Sequence, residues 1–277
     1  MKEPEAMQDD LEYQYVTGQG RATFPALFEE YRAAGAAAEA LGGWLWDLRY
    51  GEHPRETFDF RPAAASAGKV GTLIYLHAGY WQSRDKSQFR FIAPGLNEAG
   101  FDVALANYPL CPEVSVSDIV NSVCKLPRAV RAVSPPAAKA QPLIMAGHSA
   151  GAHLAVEIAL KPEAAGAIDG VLGISGVYDL TDLVGTTLNE NLRLDAGTAR
   201  MSSPLHRLRG EVPPGAFVVG EGETEAFRLQ TQAMANGWRA LGACRHAVSP
   251  QDDHFTVLKS FCAADGLLRS ILTDLVA

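Results

Sequence analysis

The residues of this chain that could do chemistry centre on Ser149. It stands in Gly147-His148-Ser149-Ala150-Gly151, with a glycine two residues to either side. A serine oxygen becomes a nucleophile when a histidine takes its proton and a carboxylate orients that histidine. Such a set performs acyl transfer through a tetrahedral oxyanion, which needs main-chain N–H donors aimed at it. A bare Gly-x-Ser-x-Gly carries little weight in a chain with 26 glycines. Its flanks add weight. The apolar run Leu143 to Ala146 predicts a buried parallel strand, and Ala152 to Leu160 predicts a helix. Strand, tight turn and helix hold a serine in a strained conformation clear of the sheet, and the glycines let strand and helix approach closely.

The base must follow the serine and the carboxylate along the chain in this arrangement. His53 and His77 come too early. His148 lies inside the turn, His153 on its helix, and His206 in a later irregular stretch. His246 falls mid-strand, where a satisfied core side chain is expected. His254, in Asp252-Asp253-His254-Phe255, follows the last strand and is the expected base. The carboxylate should follow the strand Ala216 to Gly220. Glu221, Glu223 and Glu225 all qualify by position, but Glu225 suits the start of a helix capped by Thr224. Spacing does not separate Glu221 from Glu223, and Asp179 is the candidate outside this turn. Asp252 and Asp253 sit too close to His254 along the chain to orient its far nitrogen. For the oxyanion, His77-Ala78-Gly79 follows an earlier buried strand. Ala78 and Gly79 would donate from there and Ala150 from the serine turn.

These residues need a scaffold of alternating strands and helices. Residues 1–20 are polar and expected to be loose. Arg21 to Leu41 predicts an amphipathic helix ended by Gly42-Gly43. Trp44 to Arg49 and Glu56 to Arg61 predict two strands, the second a half-exposed edge strand from the alternation at Phe58 and Phe60. Strands are expected at Val70 to Leu76, Phe101 to Ala106, Ile168 to Val177, Ala216 to Gly220 and Cys244 to Val248. Helices are expected at Gln88 to Ala99, Val114 to Val133, Glu225 to Ala240 and Phe255 to Leu275. The fold class is α/β, a mostly parallel twisted sheet with helices on both faces, with ligands at the carboxyl ends of the strands. One domain over 21–277 is expected, with a small lid insertion at about 178–208.

Composition bounds the function. A net charge of -8 without any basic run excludes a phosphate-tracking nucleic-acid protein. Met1 to Asp10 is acidic and polar, unlike a signal or transit peptide, and no apolar stretch could span a membrane. Cys111, Cys124, Cys244 and Cys262 form no Cys-x-x-Cys pair and are expected as reduced core thiols in a cytoplasmic protein. His148 and His153 are five apart, off the metal-binding spacing of His-Glu-x-x-His, and no dinucleotide fingerprint follows the first strand. No metal and no cofactor are expected.

The chain resembles α/β-hydrolases of the kynurenine formamidase (arylformamidase) group, related to hormone-sensitive-lipase-like esterases. The matching segments cover nearly everything after Leu11. They include His77-Ala78-Gly79-Tyr80-Trp81, Asn107-Tyr108-Pro109, Gly147-His148-Ser149-Ala150-Gly151, Ser175-Gly176-Val177-Tyr178-Asp179, Val219-Gly220-Glu221-Gly222-Glu223-Thr224 and Asp253-His254-Phe255. The resemblance implies the acid at Glu223, a position often held by aspartate, and puts Tyr80 and Trp81 at the substrate pocket. Ala78 stands where the group's His-Gly-Gly-Tyr-Trp has glycine. The activity implied is serine-dependent hydrolysis of a small acyl amide. The alternatives are a carboxylesterase for short acyl esters and a non-catalytic small-molecule binder on the same fold. The expected partner is a small acyl amide or ester, with no nucleic acid and no membrane; a homodimer is left open.

Overall fold

Runs of apolar residues build a sheet whose side chains feed two cores by turns. Along Gly71–Leu76, Leu73 and Tyr75 face one core while Ile74 and Leu76 face the other. Both faces are covered, which is why these strands read as continuous apolar runs. The computed structural model describes residues 10–64, 68–134, 140–162 and 166–277. Its eight strands are β1 (Leu45–Arg49), β2 (Thr57–Arg61), β3 (Gly71–Leu76), β4 (Phe101–Ala106), β5 (Leu143–His148), β6 (Gly170–Ile174), β7 (Gly215–Gly220) and β8 (Cys244–Ser249). Their order in the sheet is β1-β2-β4-β3-β5-β6-β7-β8. The β1–β2 and β2–β4 pairs are antiparallel and all later pairs parallel. One core takes the helices Val116–Val123, Leu126–Val133, Ala150–Ala159 and Glu225–Arg239. The other takes Phe24–Ala40, Ala93–Glu98 and Leu267–Val276.

Several elements depart from the sequence reading, each for a local reason. β2 is no edge strand: it lies between β1 and β4, and Phe58, Asp59 and Phe60 are all buried. Asp59 is tolerated inside because Lys86 Nζ (2.8 Å) and Arg90 Nη2 (2.6 Å) pair with it. The expected helix Val114 to Val133 is two helices. Pro127 lacks the N–H the ladder needs, and its ring would strike the carbonyl four residues back. Gln88 to Ala99 likewise divides into a 3₁₀ helix, Lys86–Ile92, and Ala93–Glu98, with Pro94 in the first turn of the second. The closing helix is also broken, into a 3₁₀ turn (Thr256–Phe261) and Leu267–Val276. At Gly266, between them, a Cβ would lie 1.9 Å from the Ser260 carbonyl oxygen.

The described part of the N-terminal segment, residues 10–20, is packed rather than loose; residues 1–9 lie outside the described residues. Leu11–Tyr15 is helical, with its first turn capped by Asp10. Gln14, Tyr15 and Gln19 are buried. Of the four cysteines, only Cys111 is a core thiol; Cys124 and Cys244 are half-buried and Cys262 is exposed. No helix among the described residues is long and apolar enough to cross a membrane.

Candidate active site

The turn after β5 holds Ser149 at φ 56° and ψ -118°, a conformation that costs an L-residue free energy and persists only when its surroundings enforce it. Two glycines enforce it. A Cβ on Gly147 would lie 2.0 Å from the Gly151 carbonyl oxygen, and one on Gly151 2.0 Å from that of Leu76. Strand and helix therefore meet at a distance no side chain permits. The Ser149 N–H donates to Ile174 at 2.8 Å, which ties the turn to β6.

His254 and Glu223 meet below this turn. His254 Nδ1 lies 2.7 Å from Glu223 Oε2, and both side chains are buried. The other carboxylate oxygen is held twice. Ser175 Oγ donates to Oε1 at 2.5 Å and the Gly220 N–H at 2.9 Å. The rival acids are engaged elsewhere. Asp179 lies 2.9 Å from His206 Nε2 and accepts from Thr181, and exposed Glu221 accepts from the Gln251 N–H. Asp253 caps the turn after His254 through Phe255 and Thr256, and Asp252 accepts from Ser249. His148, buried in full, lies 4.6 Å from His254 between ring centroids; burial pushes its pKa well below the usual histidine range, so it adds no charge there.

The loop after β3 is shaped by His77. Its ring is buried, stacked 4.3 Å from Tyr108, with Nδ1 2.7 Å from the Ala78 carbonyl oxygen. Burial pushes its pKa down to about 4, so this is a neutral structural ring. Gly79 adopts φ 126°, and a Cβ there would lie 2.4 Å from the Ser83 carbonyl oxygen. Among the described residues, the N–H groups of Ala78, Gly79 and Ala150 donate to no other group. Tyr80 lines the cavity, and its hydroxyl donates to the Tyr15 carbonyl. Trp81, expected in the pocket, is not there. It is fully buried and edge-on to His153 at 5.0 Å, so it packs the floor behind the loop. His246 also differs from expectation: it is half-buried on the outermost strand, β8, and its Nε2 has no partner among the described residues.

A cavity of about 500 Å³ brings Ser149, His254, Ala78, Gly79 and Tyr80 together. Its other walls went unnoticed in the sequence. Phe24 and Phe28 come from the first long helix, Tyr15 and Gln19 from the N-terminal segment, and Arg84 and Phe255 from loops. A helical repeat of aromatics signals burial, and nothing in it says which ring borders a cavity. Ser175 is hidden inside the expected strand Ile168 to Val177; β6 ends at Ile174, and Ser175 follows it at φ 50°. Among the described residues no cluster of three or more metal-ligating side chains occurs.

A family profile described as the alpha/beta hydrolase fold matches residues 73–254. A kynurenine formamidase from Danio rerio is 28% identical over 252 residues, covering 86% of this chain and 84% of its own length. The crystal structure of a candidate thioesterase from Silicibacter sp. tm1040 superposes with a TM-score of 0.82 at 29% identity, over 95% of this chain and 99% of that one. Esterase B from Lactobacillus rhamnosis shares the fold at 18% identity, with a TM-score of 0.69 over 92% of this chain and 96% of its own. Across the span that contains the serine turn, the strands beside it and the turn bearing His254, this chain belongs to the alpha/beta hydrolase fold family and is a hydrolase.

Proposed function

We propose that this hydrolase cleaves small acyl amides of aryl amines, in the manner of an arylformamidase, with Ser149 as nucleophile, His254 as base and Glu223 as its orienting acid. The observation that carries the reading is the common cavity. A serine on a strained turn and a carboxylate-held histidine open into one aromatic-walled space beside three unengaged main-chain N–H groups. Ser149 Oγ attacks the acyl carbonyl and His254 Nε2 accepts the proton. Glu223 keeps the other ring proton on Nδ1 and stabilises the imidazolium. The N–H groups of Ala78, Gly79 and Ala150 take up the oxyanion, each worth about 2.7–4 kcal/mol where one such donor is removed. His254 then protonates the departing aryl amine, and water attacks the acyl-enzyme by the same route in reverse.

The aromatic walls favour an aryl leaving group. Phe24, Phe28, Tyr80 and Phe255 all border the cavity, and an offset or edge-on aryl ring gains about 0.5–1.5 kcal/mol beyond burial. Ala78 borders the cavity with a methyl where the group this chain resembles has glycine, and on this reading that methyl takes the acyl side and favours formyl or acetyl over longer chains. Residues 178–208 act as the lid segment, with Leu188 and Asn191 on the rim. The similarity to a kynurenine formamidase over most of the chain supports the amide reading, and the shared fold with esterase B keeps short acyl esters as the second reading.

The test is a matched panel of N-formyl anilides, their N-butyryl analogues, p-nitrophenyl esters and aryl thioesters, run with wild type and Ser149→Ala. Formyl amides should exceed butyryl amides in kcat/KM, and Ser149→Ala should abolish turnover and fluorophosphonate labelling while staying folded. Rapid turnover of short esters with every N-formyl amide untouched would replace the amidase reading by the esterase one.

A further inference from the structure

Arg84 stands apart among the residues of this cavity. It shares the cavity with Ser149 and His254 and lies against the oxyanion loop, its Cγ only 2.8 Å from where a Cβ on Gly79 would be. Its guanidinium packs over two rings, with Cζ 4.5 Å from the centroid of Phe28 and 5.4 Å from that of Phe255. Apart from His254, no other lining side chain can carry a positive charge, and none is acidic.

Among the described residues the Arg84 guanidinium makes no ion pair and no hydrogen bond; the acids around it are committed to other partners. Asp85, its neighbour in sequence, accepts from Asn107 (2.6 Å) and Ser87 (3.0 Å) and lies 3.5 Å from Arg55. On the adjoining cavity, which Arg84 also borders, Glu29 pairs with Arg32 and Glu39 with Arg90. Glu223 is held by His254. Burial lowers the Arg84 pKa, with no carboxylate acting in the opposite direction. Arginine remains charged even so.

Arg84 is half-buried, so its charge loses part of its hydration, and cation–π contact offsets that loss only in part. Phe28 and Phe255 lie on one side of the guanidinium, their centroids 4.9 Å apart and their rings nearly perpendicular, and among the described residues no acceptor takes up its N–H donors. The planar edge of those donors matches a carboxylate in two parallel hydrogen bonds. We propose that Arg84 is the substrate-specificity residue of this site and that it binds a carboxylate on the aryl leaving group. The preferred substrates are then aryl amides that carry an acid on or near the ring. This rests on the aryl-amide reading above only for the bond that is cut.

The test pairs acids with their uncharged carboxamides. The amide series is 4-formamidobenzoate, 4-formamidophenylacetate and 3-(4-formamidophenyl)propanoate, each against its carboxamide, so that the reach to Arg84 is sampled. The ester series replaces formamido by acetoxy. Wild type should prefer the best acid by about 10- to 150-fold in kcat/KM, mostly through KM, the range expected for a hydrogen bond to a charged group. Arg84→Gln should collapse the acid-to-carboxamide ratio towards one, and Arg84→Lys should restore part of it. Calorimetric titration of wild type with benzoate, phenylacetate and 3-phenylpropanoate, against their carboxamides, reads the same preference without any cleavage. If only the esters turn over, the amidase reading fails while the ratio still decides the role of Arg84. An acid-to-carboxamide ratio near one in wild type, by turnover and by calorimetry, would overturn the proposal. So would a ratio that Arg84→Gln leaves unmoved.

Discussion

Glu223→Gln keeps the shape of the side chain and removes its charge, and the hydrogen bonds around it dictate the result. Two donors hold Oε1, the Ser175 hydroxyl at 2.5 Å and the Gly220 N–H at 2.9 Å. The glutamine carbonyl oxygen must stay with them, which turns its NH₂ group towards His254 Nδ1, now 2.7 Å from Oε2. An NH₂ donor there requires Nδ1 to accept, so the ring proton moves to Nε2. That tautomer cannot take a proton from Ser149. A wrong tautomer at a buried histidine costs about 10⁴ in kcat, or about 5 kcal/mol, with KM little changed. Stability should fall less. Two hydrogen bonds change from charged to neutral acceptors at about 1 kcal/mol each, a few degrees in Tm. The assay is steady-state turnover of an N-formyl anilide and the second-order rate of fluorophosphonate labelling, beside Glu221→Gln and Asp179→Asn. Those two should lose less than about tenfold, because Glu221 is exposed and Asp179 serves His206. A folded Glu223→Gln enzyme within tenfold of wild type, or a larger loss in Asp179→Asn, refutes the reasoning.

Ser175→Ala removes a charge-assisted donor to Glu223 and should lower kcat by about 10- to 150-fold with KM held; an equal rise in KM would mean that Ser175 shapes the pocket instead. Trp81→Ala should cost about 3–5 kcal/mol in denaturant unfolding, because the ring is fully buried against His153. A stable variant that no longer separates aryl from alkyl substrates would return Trp81 to the pocket wall. Burial alone would raise the pKa of Glu56, but hydrogen bonds from Lys125, the His53 N–H and Ser122 outweigh it and hold the group at about 2. An unfolded glutamate titrates near about 4.3, so this contribution is complete above that pH and is lost as pH falls from about 4.3 to 2. Glu56→Gln should flatten the stability profile in that window, and a profile identical to wild type would show the contribution to be negligible.

The local part of this site was legible because local sterics write it. Gly147 and Gly151 flank a serine between an apolar strand and a helix, and their absent side chains are what permit the contact of Gly147 with Gly151 and of Gly151 with Leu76. The order of strands placed His254 after the last of them. Spacing left Glu221 and Glu223 equal, because both follow β7 and only the three-dimensional turn of Gly220 to Glu223 decides which one points inward. The misreadings share another cause. Phe58 and Phe60 alternate with polar neighbours as an edge strand would, yet the polar residue between them, Asp59, is buried with Lys86 and Arg90 supplied from elsewhere in the chain. Tyr80 and Trp81 are adjacent aromatics of nearly equal character. Both take positive φ, 51° and 60°, in the turn after β3, and there Tyr80 borders the cavity while Trp81 is buried against His153, a difference set by the turn and its packing rather than by residue type.

The rim formed by residues 14–31 has a consequence for when the enzyme can first work. Its partners lie near the other end of the chain. Gln19 donates to Thr224, Thr224 to the Gln14 carbonyl, Arg21 to the Gly222 carbonyl and Tyr31 to the Phe255 carbonyl, across 201 to 224 residues. On a ribosome adding about 5–20 residues each second, that separation is a wait of about 10–40 s. Ser149 leaves the tunnel well before the carboxylate and histidine that would arm it, and the early aromatic wall has nothing to close against until they follow. Contacts this remote also make folding slow, since loop closure must precede any gain from them. With Glu223 and His254 in the roles proposed above, the half-made chain carries its serine unarmed, and the cavity closes only when the turns bearing Gly222, Thr224 and Phe255 have met residues 14–31.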